Sequence, residues 1–263
     1  MSLAFYKLTA AGNDFVLFYK DIDLRLHHKF FQKICDRHYG VGADGVLILS
    51  RNKSKFFLRY FNPDGTEAFC GNGTRAAGFF IYKEIYNENK KDFEINTIAG
   101  KLKIIVVNQK IFVEMPSFDF IREISLKNKW DFKKISYIKT GTYHLVIEID
   151  DDISNIDVNE IGRFFRYHKV FRPHGTNVNF IKIEWMNKNK ALCCIRTYEK
   201  GVENETLSCS SGMASAFYYL RQKYPISKVI FIPKSSQKFS LEFKNERSYL
   251  AGPVKIVFKG KIY

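Results

Sequence analysis

The segments Phe-Asn-Pro-Asp-Gly-Thr-Glu-Ala-Phe-Cys-Gly-Asn-Gly-Thr-Arg (61–75) and Tyr-Glu-Lys-Gly-Val-Glu-Asn-Glu-Thr-Leu-Ser-Cys-Ser-Ser-Gly (198–212) share one layout. In each, a polar turn that contains glycine leads to a cysteine, and a run with helical periodicity follows it. The two segments lie in different halves of a chain of 263 residues. The pattern therefore predicts two similar halves, each with a thiol at the start of a helix.

The two cysteines, Cys70 and Cys209, suggest a definite chemistry. A thiol at a helix N-terminus faces unpaired backbone N–H groups and the positive end of the helix dipole, which favours its thiolate form. Glycines beside Cys70 let a ligand approach the backbone, and the N–H groups that follow form an anion site. Two such thiols facing each other would remove a proton from one side of a carbon and return it from the other. This is racemase or epimerase chemistry.

The remaining pattern predicts an α+β fold of two domains. Short runs with strand periodicity recur in both halves, together with helical runs at 27–37, 73–86, 158–167 and 212–223. Helices and strands do not alternate regularly, so an α+β class is favoured over a doubly wound sheet. A Pro-Ser break after Met115 predicts a domain boundary near residue 116.

The charge and hydropathy argue against several classes of protein. The net charge of +15 raises the question of nucleic-acid binding, but the lysines are scattered and no nucleic-acid-binding motif is visible. No apolar run approaches the roughly 20 residues that span a bilayer, and residues 1–10 lack a signal-peptide pattern. We therefore expect a cytoplasmic protein with neither a nucleic acid nor a membrane as its partner.

The other three cysteines, Cys35, Cys193 and Cys194, are predicted to be packing residues. Cys35 falls in an amphipathic helical run and the other two in an apolar strand-like run. Free cysteine is among the most buried residue types. No Cys/His spacing matches a zinc site, so no metal is expected.

Five stretches, two of them within the segments quoted above, occur in an order that resembles a known family. They are Gly-Asn-Asp-Phe (12–15), Arg-His-Tyr-Gly-Val-Gly-Ala-Asp-Gly (37–45), Asn-Pro-Asp-Gly-Thr-Glu-Ala-Phe-Cys-Gly-Asn-Gly (62–73), Asn-Val (177–178) and the segment 199–212. Together they cover nearly the whole chain and resemble the diaminopimelate epimerase family. The resemblance implies two similar domains, each a mixed sheet or barrel around a central helix, with the active site in the cleft between them. It assigns residues 1–116 with 253–263 to one domain and 117–252 to the other.

The resemblance also implies the reaction. Members interconvert L,L- and meso-diaminopimelate in lysine and peptidoglycan precursor biosynthesis, without pyridoxal phosphate or another cofactor. Cys70 would deprotonate the L,L isomer and Cys209 would reprotonate the opposite face. Glu199 would bind the substrate amine and, with His144, tune the thiols.

Further positions match substrate-binding residues of the family. Asparagines at three positions would hold the ammonium and carboxylate groups, and two dipeptides would form the backbone cradles after the cysteines; these are Asn13, Asn62, Asn177, Gly71-Asn72 and Ser210-Ser211. Lys200 stands where the family has an arginine at the distal carboxylate, and Thr142 stands where it has a substrate-binding asparagine. Ser210 replaces a glycine, and the turn at Glu203-Asn204 is one residue longer.

Two alternatives remain beside the epimerase. These departures, at Lys200 and Thr142 above all, are compatible with a related racemase acting on another amino acid, such as histidine or proline. The charge alone supports a non-enzymatic basic protein that binds nucleic acid. The expected partner is a small-molecule substrate, and a homodimer is left open.

Overall fold

The structure is a computed structural model that describes residues 2–19 and 27–263. Up to residue 114 it contains β1 (Leu3–Ala10), β2 (Asn13–Tyr19), α1 (His27–Cys35), β3 (Gly45–Asn52), β4 (Lys55–Phe61), β5 (Glu67–Ala68), α2 (Gly71–Phe80), β6 (Asp92–Thr97), β7 (Gly100–Val107) and β8 (Lys110–Glu114). A π-helical turn, Ile81–Ile85, continues α2.

The second half has the same kinds of element. It contains β9 (Phe120–Glu123), β10 (Ile135–Thr140), β11 (Thr142–Glu148), α3 (Val158–Arg166), β12 (Asn177–Asn187), β13 (Lys190–Glu199), β14 (Asn204–Thr206), α4 (Ser210–Lys223), β15 (Lys228–Ile232), β16 (Phe239–Lys244), β17 (Arg247–Ala251) and β18 (Lys255–Ile262). Strands predominate and helices are interspersed irregularly, which confirms the α+β class.

The chain forms two compact units, one comprising Met1–Glu114 with Ala251–Tyr263 and the other Met115–Leu250. In the first, β1 pairs antiparallel with both β2 and β18, β2 runs parallel to β3, and β4 runs parallel to β6. Helix α2 contacts β1, β2, β3, β4, β8 and β18, so strands surround it. Its side chains are apolar on most faces, as expected of a helix with no solvent-facing side.

The second unit repeats this topology. Strands β10 and β11 form a hairpin, β11 runs parallel to β12, and β13 runs parallel to β15. Helix α3 connects the parallel pair β11 and β12, as α1 connects β2 and β3. Helix α4 contacts β10, β11, β12 and β16, and its residues 212–220 are all buried. Each unit therefore has one enclosed helix, and each of these helices follows one of the two cysteines.

The structure corrects several predicted elements. Helices α2 and α4 each begin two residues earlier than predicted, directly after the cysteine, and α1 ends two residues earlier, at Cys35. Strands β5, β6, β9, β14 and β17 were not predicted. Three of these have four residues or fewer, too few for a period-two pattern to stand out. Within the described ranges, no helix is both long and apolar enough to cross a membrane.

The packing of α3 on β13 gives a testable prediction about stability. A Cβ atom on Gly162 would lie 2.4 Å from Cβ of Tyr198, an atom fixed by the strand backbone. Gly162→Ala is therefore expected to lower the free energy of unfolding by about 1–3 kcal/mol. Glu160→Ala on the same helix removes only an exposed ion pair with Lys129 and should cost less than about 0.5 kcal/mol. Urea unfolding curves would contradict the packing argument if the two variants were equally stable.

Candidate active site

Cys70 caps the N-terminus of α2. Its backbone is extended, with φ of −132°, and its Sγ accepts the N–H of Gly73 at 3.3 Å. The carbonyl of Cys70 in turn accepts the N–H and the hydroxyl of Thr74, at 2.8 and 2.9 Å. The sulfur thus occupies the place of the side-chain oxygen in an ordinary N-cap, where an acceptor is favoured.

Two predicted binding residues meet beside this cap. Asn72, the second residue of α2, donates from Nδ2 to Oδ1 of Asn13 at 2.6 Å. Asn13 donates in turn from its own Nδ2 to Oδ2 of Asp44, at 3.1 Å. The amide of Asn13 is therefore held in one orientation, with its oxygen toward α2. Gly71 lies buried at the first position of the helix.

A charged cluster that the sequence analysis missed anchors Asn13. Arg37 donates to both Asp14 and Asp44, at 2.8 and 2.7 Å, and Lys7 donates to Asp14 at 2.7 Å. Burial alone would raise the pKa of Asp14, but these cationic partners outweigh it and lower the pKa to about 2. The carboxylate is thus ionised at neutral pH. All members of this charged cluster except Lys7 lie in the segments 12–15 and 37–45 quoted above.

Arg75 is a second charged residue near Cys70 that was given no role. It lies on α2, five residues after the cysteine, and is fully buried. Its Nε donates to the carbonyl of Pro253 at 3.4 Å. Burial lowers the pKa of Arg75 to about 10, while attraction to Cys70 acts in the opposite direction. A guanidinium that keeps its charge here stabilises negative charge on the Cys70 sulfur.

Asn62 lies in the turn that joins β4 to β5, ahead of Cys70. Its N–H donates to the carbonyl of Thr66 at 2.9 Å and its Nδ2 to the hydroxyl of Thr66 at 3.0 Å. The side chain of Asn62 thus closes the turn. The side-chain oxygen Oδ1 takes part in neither of these two hydrogen bonds.

Cys209 caps α4, but its sulfur has different partners from that of Cys70. No side-chain bond caps the helix; Sγ instead lies 3.4 Å from the hydroxyl of Ser211, and the thiol bonds to the carboxylate of Glu199. A thiol that bonds to a carboxylate acts as donor. Cys70 therefore accepts a hydrogen bond where Cys209 donates one. Ser210, the first residue of α4, is buried.

Glu199 stands at the end of β13, with hydrogen bonds from Thr206 and Cys209. Loss of surrounding water raises the pKa of this carboxyl from 4.5 to about 7, and the two hydrogen bonds only partly oppose the rise. Glu199 consequently exchanges its proton near neutral pH, which suits a group that tunes a neighbouring thiol.

His144 is fully buried on β11. Its Nδ1 lies 3.2 Å from Nδ2 of Asn179 on β12, a residue that the sequence analysis did not select. Burial lowers the pKa of His144 to about 3, so the ring is neutral at working pH. His144 thus contacts Asn179, and Asn179 in turn lies against Gly212 in the first turn of α4.

Asn177 fixes the backbone on either side of the site. Its Nδ2 donates to the carbonyl of Tyr143 at 2.9 Å, and its Oδ1 accepts the N–H of Lys200 at 2.8 Å. The ammonium group of Lys200 donates to the carbonyl of His174 at 2.8 Å. Thr142 opens β11 and is half-buried. One amide therefore ties the segment before His144 to the segment after Glu199.

The longer turn after Glu199 is held by its own ion pair. Glu203 has a positive φ of 55° and accepts from Arg166 at 3.0 Å, from the Tyr167 hydroxyl at 2.8 Å and from the N–H of Gly201 at 3.1 Å. The longer turn is thus held by hydrogen bonds that Glu203 accepts from Arg166 and Tyr167, at the end of α3. Its contacts leave the carboxylate of Glu199 bonded to Thr206 and Cys209.

The remaining cysteines differ from the two caps. Cys35 and Cys193 are buried, and Cys194 is half-buried and packs against the hydrophobic core of the second unit, so all three are packing residues, as predicted. Burial raises the pKa of the Cys35 and Cys194 thiols to about 11. These thiols are protonated at neutral pH. Among the residues that the structure describes, no cluster of His, Cys, Asp or Glu has the arrangement of a metal site.

Solved structures share this fold over its whole length. A phenazine biosynthesis protein of the PhzF family from Enterococcus faecalis superposes with a TM-score of 0.76, 17% sequence identity and full coverage of both chains. A hydroxyproline epimerase from Agrobacterium vitis superposes with a TM-score of 0.73 and 10% identity, covering 99% of this chain and 91% of its own. The chain is therefore a two-domain α+β protein of the class to which these two proteins belong.

Sequence relatives narrow the class to one family. The family model described as diaminopimelate epimerase matches residues 5–120. A diaminopimelate epimerase of Hydrogenobaculum sp. (strain Y04AAS1) is 36% identical, covering 97% of both chains. Those of Aquifex aeolicus and Campylobacter lari are 32% and 34% identical, each covering at least 98% of both chains. The chain belongs to the diaminopimelate epimerase family.

Proposed function

We propose that this protein interconverts L,L- and meso-diaminopimelate by moving one proton at the α-carbon. The observation that carries the proposal is the repeated cap: in each of two units of equal topology, a cysteine stands at the N-terminus of the enclosed helix. Both caps lie in segments that match the family. The reaction would provide the meso isomer for lysine and peptidoglycan precursor biosynthesis.

In the proposed mechanism the two sulfurs have opposite proton states. The Cys70 thiolate takes the α-proton of the L,L isomer, and the electron pair left on carbon delocalises into the adjacent carboxylate. The Cys209 thiol then gives its proton to the opposite face, which leaves Cys70 as thiol and Cys209 as thiolate. The reverse reaction exchanges the roles. The hydrogen bonds support this starting state, since Cys70 accepts from Gly73 whereas Cys209 donates to Glu199.

The helix starts would stabilise the charge that develops in this step. The first N–H groups of a helix have no partner within it, and they attract a carboxylate. We assign this role to the backbone of Gly71-Asn72 and of Ser210-Ser211, so that donors meet the substrate carboxylate as it gains charge. Asn13, Asn62 and Asn177 would hold its ammonium and carboxylate groups, because each is a bonded, oriented amide.

Lys200 is the residue proposed to bind the distal carboxylate. Its contact with His174 occupies one of three ammonium hydrogens, so two remain for a ligand. An ammonium group provides a point charge, whereas an arginine would bind the carboxylate with two parallel bonds. Thr142 provides a hydroxyl where the family has an amide. We assign it the same end of the substrate.

Deuterium incorporation is the direct test of the reaction. Incubating the protein with L,L-diaminopimelate in deuterated buffer is expected to place deuterium on one α-carbon and to generate the meso isomer at the same time. Mass spectrometry and chiral chromatography would follow the two products. The proposal would be wrong if a folded sample gave neither product. A parallel series with L-histidine, L-proline and L-lysine tests the racemase alternative. That alternative would be supported if one of these amino acids exchanged its α-proton faster than L,L-diaminopimelate does.

Two further expectations complete the proposal. The protein is expected to act in the cytoplasm on a small molecule, and a homodimer is proposed as its assembly state. Light scattering on a size-exclusion column measures the assembly directly. A mass equal to one chain, 30.8 kDa, would exclude the dimer.

A further inference from the structure

Asn179 is a fully buried amide that the proposed mechanism does not use. It lies on β12, between the parallel neighbour β11 and the antiparallel neighbour β13. Its Nδ2 donates to the carbonyl of Leu145 at 2.9 Å and lies 3.2 Å from Nδ1 of His144. Its Oδ1 accepts the hydroxyl of Thr197 at 3.0 Å.

These partners determine which nitrogen of His144 carries the proton. The carbonyl of Leu145 can only accept, so the amide atom facing it is the nitrogen, and the oxygen faces Thr197. The second amide hydrogen then points toward Nδ1 of His144, which has to be an acceptor. In a neutral imidazole whose Nδ1 accepts, the proton is on Nε2. Since burial holds the pKa of His144 near 3, the ring remains in this neutral form.

The proton on Nε2 has no protein acceptor. Among the residues that the structure describes, none forms a hydrogen bond with His144 Nε2, although the atom is fully buried. A buried donor without a partner is costly, and a role in catalysis or in binding a ligand is one reason for which such a group is retained. Asn179 itself lies against the first turn of α4, near Cys209, because a Cβ on Gly212 would lie 2.2 Å from Asn179 Oδ1 and 3.4 Å from Cβ of Cys209.

We propose that Asn179 is a positioning residue that fixes His144 as a neutral Nε2–H donor, which hydrogen-bonds to an acceptor on the bound substrate. His144 then cannot act as a base toward Cys209, because Nδ1 is occupied and Nε2 already carries a proton. The substrate part of this inference rests on the proposed function. The tautomer part rests on the contacts of Asn179 alone.

Nitrogen-15 NMR of the labelled protein tests the tautomer without any activity measurement. Long-range proton–nitrogen spectra distinguish Nδ1–H, Nε2–H and the doubly protonated ring, and comparison with His144→Gln assigns the signals. At neutral pH we expect Nε2–H with an unprotonated Nδ1. Observation of Nδ1–H or of an imidazolium would overturn the proposal.

Variants of Asn179 test the positioning role. An aspartate at this position can only accept, so Asn179→Asp is expected to transfer the proton to Nδ1 or to create the imidazolium, and to lower kcat about tenfold with a smaller change in KM. Asn96→Ala is the matched control, since it removes a comparable amide bond, to the carbonyl of Phe56 at 2.9 Å. It should leave the His144 signals and kcat unchanged.

The outcomes separate this inference from the proposed function. If Asn179→Asp kept the wild-type tautomer and kcat, Asn179 would not position the ring. Suppose that diaminopimelate is not epimerised, but that His144 carries its proton on Nε2 and changes protonation in Asn179→Asp. The tautomer assignment would then stand, and only the proposed substrate would be wrong. Should the aspartate variant fail to fold, the wild-type spectrum still decides the tautomer.

Discussion

Cys209→Ala is expected to lose epimerisation of L,L-diaminopimelate while it still exchanges the α-proton of that isomer with solvent. Cys70 remains able to remove the proton and return one to the same face, so deuterium enters without inversion. Removal of one acid–base group typically lowers the rate about 10²–10⁴-fold, and kcat for formation of the meso isomer should fall by that factor. Cys70→Ala is expected to lose both epimerisation and exchange with the L,L isomer.

Two controls separate chemistry from folding in this experiment. Cys35→Ala changes a buried thiol with a raised pKa and should leave turnover unaffected. Cys70→Ser keeps an acceptor for the N–H of Gly73, so the helix cap survives while the thiol is lost. If the serine variant were as active as the wild type, proton transfer by the Cys70 sulfur would be excluded. Equal exchange in both alanine variants would contradict the assignment of one cysteine to each face.

Glu199→Gln is expected to increase stability above neutral pH and to decrease activity. The folded protein raises the pKa of Glu199 from 4.5 to about 7, so folding binds a proton between these values. The wild-type free energy of unfolding should therefore fall by up to about 3 kcal/mol as the pH rises from 4.5 to 7, then level off. Glutamine does not titrate, so the free energy of unfolding of Glu199→Gln should not show this decrease between pH 4.5 and 7. Denaturant titrations between pH 4.5 and 8.5 would measure it.

The loss of activity follows from the same carboxyl group. Glutamine still accepts a hydrogen bond but cannot take a proton from the Cys209 thiol or pair with the substrate amine. We expect kcat/KM to fall about 10²-fold. Wild-type activity restored at any pH in the variant would contradict a role for the Glu199 charge.

Glu205→Gln is the matched control for Glu199, six residues further along. Burial opposes ionisation of Glu205 too, but bonds from Arg196 at 2.7 Å and Lys234 at 2.9 Å lower its pKa below 4.5. Its contribution to stability is present above pH 4.5 and is lost as the pH falls. The substitution should therefore destabilise the protein at neutral pH, opposite in sign to Glu199→Gln. If both variants shifted stability in the same direction, the pKa of Glu199 would not be raised.

The sequence allowed prediction of features that depend on neighbours in the chain. Four helices were predicted from apolar periodicity, and the cysteines were predicted at two helix starts because a polar glycine turn precedes each. The starts themselves were predicted two residues late, since Gly71-Asn72 and Ser210-Ser211 have low helix propensity. In the structure these residues form the first turn, where unpaired N–H groups favour small and polar residues.

Features that depend on distant residues were not predicted. Arg37 meets Asp14 across 23 positions, and His144 meets Asn179 across 35. Local periodicity carries no information on such pairs, which form only when segments distant in the chain are brought together by the fold. Similarly, alternation along β13 places Cys193 and Cys194 on opposite faces of the strand, and an unbroken apolar run conceals that alternation.

The pairing of β18 with β1 constrains how the chain can be made. During translation, residues 115–250 leave the ribosome as one continuous stretch before residues 255–262 appear. Until then β1 is paired only with β2, and the backbone N–H and C=O groups on its other edge can pair with a strand of another chain. A ribosome that stalls after residue 250 would therefore release a chain with an unguarded edge, prone to aggregate, although both cysteine-capped helices are already present.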